Sequence, residues 1–197
     1  MKKFSIHVST ILIFALFLTG CASVPLGTIW KMRNFDPLSA EPSLIRFAVV
    51  TDKRVMLSDG STSMNLSYQS SLSEHTFSHT AVASIKKNVP IDSIAQELEP
   101  NQKITLFYLD KKDADALRLA QSKLRNIKAQ NVEGEGSLSI SVTQGCVPSE
   151  LLESEEMLVT VFALFDPKQG YVKMISELNL LAEVDDDAMQ NWVVCDA

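Results

Sequence analysis

Apolar residues recur along this chain at two spacings, every second position in several short segments and every third or fourth in one long one. The first spacing marks half-buried strands and the second an amphipathic helix. Residues 44–51 form a mostly apolar run of strand formers. Met64-Asn65-Leu66-Ser67-Tyr68 alternates strictly, after a turn-like Asp59-Gly60-Ser61-Thr62-Ser63. Residues 74–84 read as the return strand, although their alternation is poor. In 103–109, Ile104, Leu106 and Tyr108 share one face, with Phe107 and Leu109 on the other. Residues 137–143 set Leu138, Ile140 and Val142 against serines and a threonine. Residues 157–165 are nearly all apolar, as a central strand covered on both faces would be. Phe165-Asp166-Pro167-Lys168-Gln169-Gly170 then turns the chain, and 171–180 return as the hairpin partner.

The long segment is a helix over 111–130. Leu117, Ala120, Leu124 and Ile127 make a single apolar stripe. Asp110 suits the N-cap, and Asp113 and Asp115 favour the positive end of the helix dipole. Lys123, Arg125 and Lys128 suit the other end, before Asn131 and Gly134 stop the helix. A shorter helix fits 91–98, closed by Pro100, and 183–187 read as an acidic loop. Six to seven strands with one principal helix make an α+β protein, mainly antiparallel, with the long helix packed on one face. Whether the strands form one sheet or a sandwich stays open at this point.

The first residues follow a different logic. Lys2 and Lys3 precede the uninterrupted run Ile11-Leu12-Ile13-Phe14-Ala15-Leu16-Phe17-Leu18, which is too short for a comfortable bilayer span. Leu18-Thr19-Gly20-Cys21 closes it. The whole segment resembles a bacterial lipoprotein signal peptide with its lipobox. That resemblance implies cleavage before Cys21, diacylglycerol on its sulfur and membrane attachment. Residues 1–20 are then a leader, 21–43 a lipidated tether and leading segment, and 44–197 a single globular domain. Ala22 follows the cysteine in place of the Asp that favours inner-membrane retention, so the resemblance implies the outer membrane. Gly27-Thr28-Ile29-Trp30-Lys31 and Phe35-Asp36-Pro37-Leu38 also look like the opening of proteobacterial envelope lipoproteins, a likeness that carries no activity with it. Two readings of the apolar residues Trp30, Met32, Phe35 and Leu38 compete: contact with the bilayer, or, favoured here, packing on the domain's own core.

Charge adds an exclusion. The net charge is −6, and beyond the leader 16 basic side chains face 24 acidic ones, a net −8. An acidic surface repels phosphate backbones and anionic lipid heads, so no nucleic-acid partner is expected. Export also decides the chemistry of Cys146 and Cys195, which in an oxidising compartment are expected to form a disulfide.

Glu74, His75 and His79 would gather around a metal on a helix, but on a strand the imidazoles stand about 13 Å apart. No Gly-x-Ser-x-Gly elbow accompanies the many serines. Glu133-Gly134-Glu135-Gly136 reads as a loop whose acids would repel phosphate, and Asp185-Asp186-Asp187 as a solvated turn. No catalytic residue, metal or cofactor is assigned. The expectation is a non-enzymatic interaction or accessory lipoprotein with an envelope protein as partner. The alternative is a small envelope hydrolase or ligand-binding protein, which would need a deep pocket with convergent polar groups.

Overall fold

A computed structural model describes residues 36–86, 92–154, 156–183 and 192–195. Seven strands form one curled antiparallel sheet in the order β5-β2-β3-β4-β1-β7-β8, so the protein is α+β with one principal sheet and not a sandwich. The strands are β1 (Arg46–Asp52), β2 (Thr62–Ser70), β3 (Phe77–Ile85), β4 (Gln102–Leu109), β5 (Gly134–Val142), β7 (Leu158–Leu164) and β8 (Val172–Asn179). A second, two-stranded sheet pairs β6 (Gly145–Val147) in parallel with β9 (Trp192–Val194). Among the described residues, four α-helices accompany them: α1 (Asp92–Ala95), α2 (Lys111–Ala129), α3 (Ser149–Glu153) and α4 (Leu180–Glu183).

β1 lies between β4 and β7, with Arg46 opposite both Tyr108 and Leu164. Its residues 47–51 are buried in succession, which is why this strand shows a continuous apolar run and no alternation. Phe47 and Val49 face the main core, while Ala48 and Val50 join Ile94 of α1, Leu106 and Phe162 in a smaller cluster. β2 is covered on one face, so Met64, Leu66 and Tyr68 are buried between half-exposed polar residues. β7 is interior, one place in from the β8 edge rather than central.

α2 covers the main core. Its stripe (Ala114, Leu117, Ala120, Leu124 and Ile127) is buried, and Asp110 Oδ1 accepts from Asp113 N at 2.8 Å as the N-cap. β3 and β4 pair over only three positions, from Ala83↔Leu109 to Ile85↔Phe107. Where they part, α2 takes over: the Val82 amide donates to Asp113 Oδ1 at 3.1 Å. The carboxylate that favours the helix start therefore also satisfies a strand amide that has lost its ladder.

The chain ahead of β1 is held to α2. Leu38 is buried in the main core, in keeping with packing on the domain. Gln121 Nε2 donates to the carbonyls of Pro37 and Ala40, both at 2.9 Å, and Arg125 Nη1 donates to Leu38 O at 2.6 Å. Trp30, Met32 and Phe35 lie outside the described residues.

Two readings need correction. Gly134 to Gly136 are not loop but the start of β5, paired with Ser70, Gln69 and Tyr68. Glycine is needed there because a Cβ on Gly134 would lie 2.3 Å from Gln69 O and 2.8 Å from Tyr68 Cζ. Nor does a strand run from Glu74. Ser73–His75 form a 3-10 turn and β3 begins at Phe77, which explains the poor alternation.

Candidate functional site

Three concavities are candidates. The first lies at the foot of β1, β4 and β7, about 360 Å³ in volume, where Asp52, Arg54, Glu99, Gln102 and Glu156 meet. Asp52 ends β1 and grips Arg54 through two bonds, Oδ1 to Nε at 2.9 Å and Oδ2 to Nη2 at 3.1 Å. That guanidinium holds the Asp52 carboxyl below its ordinary value, mainly by hydrogen bonding and against the cost of burial. Lys103 nearby is pushed below its ordinary value by burial, with Asp52 opposing the shift. The lining described contains neither a histidine nor a cysteine, and its one hydroxyl, Ser154 Oγ, donates to the Leu151 carbonyl at 2.8 Å. The pair is local, closing the turn that follows β1.

The second concavity, about 70 Å³, lies on the other side of the sheet beside α1. Lys173 spans it, 3.4 Å from Glu97 and with Nζ 5.2 Å from the Phe162 ring centre. Glu177 also lines it, with φ at 51° where β8 slips against β7. The third is an open groove of about 390 Å³ between β3 and α2, lined by Phe77, His79, Ala116, Leu119 and Lys123. Lys123 Nζ stands 4.8 Å from the Phe77 ring centre.

His79 reaches this groove and His75 does not, so the local histidine group divides between a turn and a strand. Among the described residues, no group of three histidine, cysteine or acidic side chains is placed to hold a metal ion. Asp185, Asp186 and Asp187 lie outside the described residues, as does Cys21. Cys146 and Cys195 are joined in a disulfide with Cα atoms 5.1 Å apart. The bond fastens β9 to β6, where Gly145 leaves room for the Trp192 ring. Among the described residues, no helix is long and apolar enough to cross a membrane.

Sequence reasoning passed over the groove beside α2. The signal was present in Ala116, Leu119 and Lys123, spaced three and four apart so that they fall on one line of the helix beside the buried stripe. Comparison with known proteins finds no matching family model, no matching curated protein and no matching solved structure.

Proposed function

We propose that this protein is an envelope lipoprotein, anchored through lipid on Cys21 at the outer membrane, that serves as a non-enzymatic interaction or accessory protein. The observation that carries the reading is Leu18-Thr19-Gly20-Cys21 placed directly after a basic start and an apolar run. Two or three acyl chains on that cysteine, at about 0.8 kcal/mol per buried methylene, make desorption negligible. The protein then works where it is held, by what its surface meets.

Intact mass of the chain from cells tests the anchor. The expected species begins at Cys21 and carries diacylglycerol, and Cys21→Ser removes both the lipid and the membrane fraction. Crosslinking in living cells tests the role: a reproducible envelope partner supports it, and a protein recovered without any counts against it. The ligand-binding alternative draws on the cleft at Asp52 and Arg54, the larger of the two charged concavities. It requires a small molecule whose binding is lost in Arg54→Ala.

A further inference from the structure

The two ends of the main sheet are built differently. β8 is irregular: it slips twice against β7, carries Lys173 and Glu177, and holds Glu177 at a φ of 51°. Charges and irregularities of this kind keep a further strand from joining an edge. β5 has no such irregularity. It runs for nine residues in unbroken register with β2, from Gly134 opposite Ser70 to Val142 opposite Thr62. It contains no proline and no cation, and Glu135 is its one charge. Among the described residues, no strand pairs with its other side.

The ladder fixes which residues face that side. In β3 the Val82 amide turns to Asp113 and the Lys86 amide to Leu106, so the even-numbered residues point away from β2. The odd-numbered residues of β3 therefore bond β2, at their partners Met64, Leu66 and Tyr68. The alternate residues of β2, from Ser63 to Gln69, bond β5 at its odd positions, from Ser141 to Glu135. Thr143 N, which donates to Ser61 O at 2.9 Å, keeps the same phase. Gly134, Gly136, Leu138, Ile140 and Val142 are left with N–H and C=O on the free edge.

Two copies of this edge fit each other. Set antiparallel about Leu138, they bring Gly136 opposite Ile140 and Gly134 opposite Val142, and each such pair exchanges two hydrogen bonds. Every free amide and carbonyl on both edges is then used. On one face glycine meets a branched side chain, and on the other Ser137 meets Ser139. Glu135 meets Ser141, so the one charge is not opposed by its own copy, whereas an in-register parallel pairing would set Glu135 beside Glu135. The two-fold contact occupies both β5 edges at once and so closes on itself. The edges left over are those of β8, which resist further growth.

We propose that two copies of this chain pair through β5, antiparallel about Leu138, into one continuous sheet of fourteen strands, seven from each. The pairing needs no lipid on Cys21. Nine residues at about 3.4 Å each make a contact about 31 Å long, at the small end of specific interfaces.

The full chain, processed as cells process it, is followed by sedimentation equilibrium in density-matched detergent from about 1 μM to about 1 mM. The expected result is a monomer–dimer equilibrium with a dissociation constant on the order of 10 μM. Amide exchange, read residue by residue, locates the contact. Leu138 and Ile140 should exchange roughly tenfold or more slowly in the dimer than in the monomer, while Ser137 and Ser139, bonded to β2, stay slow in both. Charge tests the register at two exposed positions. Ser137→Glu with Ser139→Glu, and Ser137→Lys with Ser139→Lys, each set like charges opposite one another and should each stay monomeric. Mixed together, the two variants should form a heterodimer, which misfolded chains would not do. Two folded variants that do not associate overturn the register about Leu138. A native chain that is monomeric at every concentration overturns the pairing itself. So does a dimer in which Leu138 and Ile140 exchange as fast as in the monomer, since its contact lies elsewhere. Slow exchange at both residues in the monomer overturns it too, because another segment of the same chain then covers the edge.

Discussion

Glu177 holds a backbone angle that a side chain disfavours. Its φ of 51° sits where β8 slips against β7, and its amide donates to Thr160 Oγ1 at 3.0 Å. The left-handed region costs a non-glycine residue about 1–2 kcal/mol, while glycine adds about 0.5–1 kcal/mol of unfolded-state entropy. Glu177→Gly should therefore raise stability by roughly 0.5–1 kcal/mol, read as a higher urea midpoint at unchanged slope. Gly134 is the opposite case. A Cβ there meets the Gln69 carbonyl, which is backbone within a paired strand and cannot give way. Gly134→Ala should cost about 1–3 kcal/mol, with the loss concentrated at the β2–β5 pairing in hydrogen exchange. At Asp52 the sign follows from Arg54. The carboxyl lies below its ordinary 3.8 in the folded protein, so the pair stabilises fully above about pH 5 and loses its effect as pH falls through the lowered value. Asp52→Asn should flatten that acid limb in a plot of urea midpoint against pH.

At the scale of elements, α2 joins two parts of the chain that are distant in sequence. Gln121 is only 3% exposed, and both carbonyls it serves belong to the segment before β1. Gln121→Ala removes two hydrogen bonds and opens space under Leu38, so it should cost about 2 kcal/mol. Proteolysis should rise at 36–41 before global unfolding, because that segment loses its ties while β1 keeps two neighbouring strands. α2 itself was legible from sequence because its stripe is long and Asp110 marks its start. β1, β2, β4, β7 and β8 were legible for related reasons, each offering seven or more patterned residues. β6 and β9 were not: three residues carry no period, and parallel partners 47 positions apart leave no local signal. The β3 boundary was misplaced because Ser73–His75 close into a 3-10 turn, and pairing with β2 begins only at Phe77.

On the scale of the whole molecule, the disulfide decides whether the second sheet belongs to the fold. Cys146 is bridged to Met56 and Cys195 N donates to Val147 O at 3.0 Å, so the bond ties β9 through β6 to the turn after β1. β9 contributes little burial of its own, with Val193 60% and Val194 55% exposed. Trp192 is half-buried against the core. Three parallel pairs and one aromatic contact cannot offset the entropy of ordering a segment closed by a 49-residue separation. The crosslink removes that entropy from the unfolded chain, by up to about 4 kcal/mol in the chain-entropy model. Cys195→Ser should therefore lower the urea midpoint by an amount approaching this limit. The seven-stranded sheet should persist, since none of its ladders includes β6 or β9. Trp192 reports the difference: in a Trp30→Phe background its emission should shift red in the serine variant under conditions where far-ultraviolet circular dichroism is unchanged. An unshifted Trp192 would mean that β9 docks by its own contacts, and the bond would then be a consequence of that docking rather than its cause.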